Sequence, residues 1–177
     1  MLVRKATFDD ISAIAKVHVD TSKVTYQGII PDKLLANQSY AKRQSSWEKI
    51  LNRADHNNSF IYVAENESKE IIGFVNGGLE RENNLEYTGE VYAIYVLPNY
   101  QKKGVGRNLW QTAIEKLNRM GINSLLVWVL ADNSACQFYE ALKGVKIRTK
   151  QIRRDDKTLT AIAYGWSNTA STIDRCF

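Results

Sequence analysis

Apolar positions along the chain follow two periods, and the change from one to the other marks its centre. Val91 to Leu97 form a continuous run of β-branched, aliphatic and aromatic residues, a pattern that predicts a buried strand. Pro98 ends it, because proline cannot donate to a sheet ladder. After a polar stretch, apolar side chains return at Val105, Leu109, Trp110, Ala113, Ile114, Leu117 and Met120, which share one helical face. Gly121 follows, where a left-handed helix end favours glycine. The stretch from Glu90 to Met120 therefore predicts strand, glycine-containing turn, helix.

The same reading places the other elements. Leu2 to Ala6 is a short strand. Thr7 and Asp10 have capping-box spacing, and Ile11, Ile14, Ala15 and Val19 carry a helix to about Val19. Thr25 to Asp32 is a loop punctuated by Gly28 and Pro31, and a second helical stretch opens at Pro31 or Asp32. Tyr40 to Arg53 is helical, with Trp47, Ile50 and Leu51 on one side. Ser59–Glu65 and Ile71–Gly77 form an antiparallel pair around a polar turn. A polar connection, 78–89, leads to the central strand. Ser124–Leu130 is a second apolar strand, followed by a short helix to Leu142, and Val145–Arg153 with Leu159–Trp166 reads as a terminal hairpin. There is no internal repeat and no linker, so residues 1–177 are expected to form one domain with a polar tail at 167–177.

Composition narrows the function classes. With 177 residues, 44% of them hydrophobic, the chain can bury a full core. No apolar run approaches membrane-spanning length, and the first residues lack the apolar core of a signal peptide, so a cytoplasmic protein with no membrane partner is expected. Cys136 and Cys176, with two histidines, make no convincing metal site. The net charge of +5 is scattered, with only Lys102-Lys103 and Arg153-Arg154 as basic pairs, which argues against nucleic acid as a partner.

The turn between the central strand and its helix carries the chemistry. The first backbone N–H groups of a helix lack intrahelical partners, and the helix dipole adds positive character there. Gly104 and Gly106 let an anion approach those amides, and Lys102, Lys103 and Arg107 surround them with cations. A phosphate or pyrophosphate is the natural ligand; a tight turn with solvated lysines is the plainer alternative. No Gly-x4-Gly-Lys-Ser/Thr run exists, and Gly104-Val-Gly106-Arg-Asn is followed by Leu109, so the third glycine of a dinucleotide fingerprint is missing.

What remains is Gln101-x-x-Gly104-x-Gly106 after a strand ending Tyr-Val-Leu-Pro98. This resembles the acyl-CoA-binding motif of the GNAT superfamily of N-acetyltransferases. The likeness continues downstream through Ser124–Leu130, Asn133, and a short helix carrying Phe138-Tyr139 and ending at Leu142. It covers roughly 71–166, with a looser fit over 1–65 that includes the opening Arg4-x-Ala6-Thr7-x-x-Asp10. One departure is Lys143 where the family usually has glycine; the helix end is expected to shift by one residue so that Gly144 provides the cap.

The resemblance implies an α/β (α+β) fold with a mixed central sheet of about six to seven strands, splayed central parallel strands and flanking helices. It implies acetyl-CoA as co-substrate, no metal, and transfer of acetyl to a primary amine of a small molecule in a ternary complex. The pyrophosphate would sit on Gln101, Lys102, Lys103, Gly104, Val105, Gly106 and Arg107, and the pantetheine arm on the backbone of Ile94, Tyr95 and Val96, with Asn133 beside it or acting only as a helix cap. Tyr139 would be the general acid for the leaving thiolate. Glu90 is the best candidate for a base, directly or through water, with Glu86 a weaker one. Tyr26 is a candidate acceptor contact, whereas Trp47 fits core packing better. A protein or peptide acceptor, and a non-catalytic acyl-CoA-binding module, stay open as alternatives. So does a homodimer, with the tail as a candidate contact.

Overall fold

The computed structural model describes residues 1–54 and 58–169; most of the tail, 170–177, and with it Cys176, lies outside the described residues. The chain opens with strand β1 (Leu2–Lys5), then a 3-10 turn (Phe8–Asp10) that leads into helix α1 (Ile11–Thr25). The Thr7–Asp10 capping box is formed: Asp10 Oδ2 accepts the Thr7 N–H at 2.8 Å and its hydroxyl at 3.0 Å. It starts the 3-10 turn rather than the helix itself, and α1 runs six residues beyond Val19. Two further helices, α2 (Asp32–Ala36) and α3 (Tyr40–Ala54), precede strands β2 (Ser59–Glu65), β3 (Ile71–Leu79) and β4 (Gly89–Val96). Then come α4 (Val105–Arg119), β5 (Leu125–Leu130), α5 (Ala135–Ala141) and the hairpin β6 (Val145–Arg154) and β7 (Lys157–Trp166).

The strands form one mixed sheet of seven in the order β1-β2-β3-β4-β5-β7-β6, with the expected helices on its faces. α4 covers one face with Leu109, Trp110, Ala113, Ile114 and Leu117, all essentially fully buried against β3, β4, β5 and β7. Burial of each large side chain contributes about 1.5–3 kcal/mol. The opposite face carries α1 and α3 through Ile14, Val17 and Trp47 over Ile61, Val63 and Phe74. Trp47 is thus a core residue. Ile50, expected on the same inward side of α3, is exposed.

The centre of the sheet positions the site. β4 is bonded to β3 along its length, with a bulge opposite Asn76/Gly77. Its parallel pairing with β5 lasts only two rungs, Gly89 with Leu125 and Glu90 with Leu126. Beyond them the two strands part, as expected for splayed central strands.

The end of α5 corrects an expectation. Lys143 itself adopts the left-handed conformation, with φ of 64°, and Gly144 does not provide the cap. The Gly144 N–H bonds the Tyr139 carbonyl at 2.9 Å. Glycine is needed there for space, since a Cβ would lie 2.6 Å from the Trp166 ring.

Arg4 ties β1 to the start of α1. Its guanidinium donates to both Asp10 oxygens at 2.7 Å and through Nε to Glu65 at 2.7 Å, and these bonds hold the Asp10 carboxyl below its usual range despite burial. Arg4→Ala leaves Asp10 buried without its partner. Equilibrium denaturation should show a loss of about 2 kcal/mol, and an unchanged midpoint would contradict this role.

Candidate active site

The gap between β4 and β5 opens into a cavity of about 770 Å³ that runs from the N-terminus of α4, past α5, to the C-terminal end of α1. At the α4 end, Gly104 is the N-cap with φ of 84°, a left-handed conformation that glycine adopts without strain. Lys102 is also left-handed, with φ of 58°. The Asn108 N–H bonds back to the Gly104 carbonyl at 3.0 Å, which puts Val105 and Gly106 in the first turn of α4, where N–H groups point out of the helix. Lys102, Gly104, Gly106 and Arg107 line the cavity, while Lys103 stands 5.8 Å from the Tyr100 ring centroid. Gln101 braces the turn: its Nε2 donates to the Val96 carbonyl at 3.0 Å.

Along β4 the main-chain groups alternate in direction. The Leu97 N–H bonds the Ile72 carbonyl of β3 at 2.9 Å, so the groups of Tyr95 also face β3 and those of Ile94 and Val96 face the gap. Of the three residues expected to offer backbone to an extended ligand, Ile94 and Val96 are turned the right way. Tyr95 instead offers its phenol, whose hydroxyl lies 3.2 Å from that of Tyr26 at the end of α1. The Tyr95 ring stacks on His18 at 4.6 Å, and His18 Nδ1 accepts from Trp47 Nε1 at 3.3 Å. Burial pushes the His18 imidazole down to about 3, so it is neutral and packs as part of the wall's support.

Across the gap, Asn133 is buried and acts in two directions. Its Oδ1 accepts the Ala135 N–H, the first of α5, at 2.9 Å, and the residue lines the cavity near Tyr26. The N-cap itself is Ser134, so Asn133 stands one residue before the cap, bonds the first N–H of the helix, and takes a place in the cavity wall. Tyr139, on α5, lines the cavity and is surrounded by Trp110, Phe138, Tyr164 and Trp166 at ring separations of 5.4 to 6.3 Å. Burial raises its phenol above the usual value, with smaller contributions from Tyr95 and Cys136, so the hydroxyl keeps its proton.

Glu90 is not brought to this group. It sits at the closed end of the gap, buried, and its carboxylate takes Arg81 Nη2 at 2.5 Å, Nε at 3.0 Å and the Arg81 N–H at 3.3 Å. Arg81 lies in the polar connection before β4, which no periodic pattern flagged. Glu86, the weaker candidate, is exposed, and its carbonyl accepts from Ser124 at 2.9 Å. Sequence reasoning missed Tyr92, Trp128, Ile152 and Ala161, which also line the cavity. The signal was available: Val127 and Val129 face the α4 side, so a period of two sends Trp128 and Leu130 to the other face.

A model of the Acetyltransferase (GNAT) family matches residues 29–144. The chain is 33% identical to an uncharacterised N-acetyltransferase, YuaI, of Bacillus subtilis, over 93% of this chain and 91% of that one. It is 24% identical to a spermidine N(1)-acetyltransferase of Thermoplasma acidophilum, over 82% of this chain and 88% of that one. Among solved structures, PaiA N-acetyltransferase of Thermoplasma acidophilum in complex with coenzyme A superposes with a TM-score of 0.69 at 21% identity, covering 93% of this chain and 98% of that one. An N-acetyltransferase of Staphylococcus aureus Mu50 superposes with a TM-score of 0.73 at 21% identity, over 95% and 98%. At these identities the structural likeness speaks for the fold.

Proposed function

Because the chain belongs to the Acetyltransferase (GNAT) family and is an acetyl-CoA-dependent acyltransferase, we propose that it transfers acetyl from acetyl-CoA to the primary amine of a small molecule, by direct attack in a ternary complex. The observation that carries this reading is the parting of β4 and β5 after two rungs, which joins the amides at the α4 N-terminus to Tyr139 in one cavity. In this reading the pyrophosphate lies on Val105, Gly106 and Arg107 N–H groups, with Lys102 and Arg107 adding charge. The pantetheine arm takes the main chain of Ile94 and Val96. The amine attacks the thioester carbonyl, and the Tyr139 hydroxyl gives its proton to the departing sulfur.

Direct attack is favoured over an acyl-enzyme by the state of the cysteine thiol among the described residues. Cys136 is not among the residues that line the cavity, and burial raises its thiol, the opposite of what a nucleophilic cysteine requires. A small acceptor is favoured over a peptide by a tie between two elements that wall the acceptor end. Lys157 Nζ, on the β6–β7 hairpin, donates to the Ile29 carbonyl at 2.6 Å and to that of Gly28 at 3.4 Å, tying the hairpin that carries Ile152 to the loop that follows Tyr26. A cytoplasmic location fits a requirement for acetyl-CoA; among the described residues no helix is long and apolar enough to cross a membrane.

Steady-state kinetics with acetyl-CoA and amines, followed by release of free thiol, test the reading. Intersecting double-reciprocal lines are expected. Parallel lines would point to an acyl-enzyme, and CoA binding without turnover of any amine or peptide would point to a non-catalytic module.

With Glu90 locked on Arg81, we assign removal of the amine proton to water and give Glu90 the task of fixing Arg81 and the connection before β4. Glu90→Gln is then expected to lower the melting temperature while the rise of rate with pH persists. Disappearance of that rise would return Glu90 to the role of base.

A further inference from the structure

We propose that the acceptor is a monoamine with an aromatic or branched apolar body, and that the acceptor end is built against polyamines. This rests on the acetyltransfer reading above and names its second substrate class.

The pairing register defines the wall. Leu130 faces Ala161 across β5 and β7, and Ala161 faces Lys150 across β7 and β6. Trp128 and Ile152 lie two residues along their strands from Leu130 and Lys150, so all five share one face of the sheet. It is the face opposite Val127, Val129, Tyr164 and Trp166, which pack under α4 and α5. Leu130, Trp128, Ile152 and Ala161 line the cavity there together with Tyr92, giving the acceptor end a largely apolar and aromatic wall.

Rings of this kind could in principle hold an ammonium, but the protein's own cations already occupy them. Lys150 Nζ lies 3.9 Å from the Trp128 ring centroid, and the Arg81 guanidinium 4.2 Å from that of Tyr92. The carboxylates at this end are matched as well: Glu82 pairs with Lys150, and Glu90 with Arg81. Among the described residues lining the cavity there is no Asp or Glu. The second and third ammonium groups of a polyamine would thus be desolvated beside Arg81 and Lys150 with no unmatched anion to receive them. An aryl or branched alkyl group would instead bury apolar surface against Trp128 and Ile152. Its amine would point toward Tyr26, Tyr95 and the thioester.

The test compares 2-phenylethylamine, tryptamine and isoamylamine with spermidine and spermine, each at fixed acetyl-CoA, by thiol release and mass of the product. CoA-induced thermal stabilisation is measured on the same preparation. The proposal expects kcat/KM for at least one aryl or branched monoamine to exceed that for either polyamine by about tenfold or more. Trp128→Ala should raise KM for that amine by about tenfold while the CoA-induced shift is kept. Ile152→Glu, which adds an anion to the wall, should move the preference toward spermidine. CoA stabilisation together with spermidine as the better acceptor, or with no turnover of any monoamine in the panel, would overturn this proposal and leave the donor-site reading standing. Absence of any CoA-induced shift would overturn the donor-site reading and this proposal with it.

Discussion

Tyr139→Phe is expected to lower kcat by about two orders of magnitude or more, while the dissociation constant for CoA changes little. The ring stays in a well-packed position among Trp110, Phe138, Tyr164 and Trp166, so removing one oxygen should not disturb the fold. What is lost is the proton donor at the only step that needs one, departure of the thiolate. Because burial raises the phenol, it holds its proton across the working range, and loss of rate at high pH from this group is not expected below about pH 10. Stopped-flow or steady-state thiol release, with CoA titration in parallel, separates the two effects. Full activity in the variant would remove Tyr139 from the chemistry. An equal loss of activity and CoA affinity would make it a packing residue of the donor site.

Gly106→Glu should weaken CoA binding by about a hundredfold or more, without unfolding the protein. Gly106 is in the first turn of α4, lines the cavity, and has ordinary helical φ. A Cβ there would meet the Phe138 ring at 3.4 Å, ordinary contact, so the backbone tolerates a side chain. The added carboxylate, however, would occupy the amides at the helix N-terminus, where it gains the favourable dipole interaction meant for the ligand and repels an incoming pyrophosphate. Isothermal titration with CoA reads the loss directly. Gly106→Ala is the control: it removes no charge complementarity and should bind CoA within a few-fold of the parent protein. Equal affinity of Gly106→Glu and the parent protein would mean that the phosphates lie elsewhere.

The central unit was legible because its physics is local. A strand-like run into Pro98, two glycines, and then apolar positions at helical spacing specify β4, the turn and α4 with errors of one or two residues. Gly121 ends α4 with φ of 78°, as its place after the last apolar position implied. The Lys143 expectation failed for a non-local reason. Glycine at 144 serves Trp166, which fills the space a Cβ there would need, and that tryptophan comes 22 residues later in the chain. Glu90 shows the same limit. Its position at the head of the central strand was clear, but its partner Arg81 lies in a polar connection whose path depends on the bulge in β4 and on the Tyr92 ring beneath the guanidinium. The acceptor wall was the least visible part. Trp128 and Ile152 are far apart in sequence and line one cavity only because β7 and β6 extend the sheet beyond β5 in the order β5-β7-β6, which short apolar runs do not encode.

The most direct measurement of the central claim is thermal unfolding of the protein alone and with saturating acetyl-CoA, CoA, a nicotinamide dinucleotide or GTP. A ligand held at a hundred times its dissociation constant adds about 2.7 kcal/mol to the folded state. A shift of several degrees with acetyl-CoA and CoA, and little with the other two, is the predicted result. No shift with either coenzyme, or a larger one with the dinucleotide or GTP, would contradict a donor site built on Gln101–Arg107 and the parted strands.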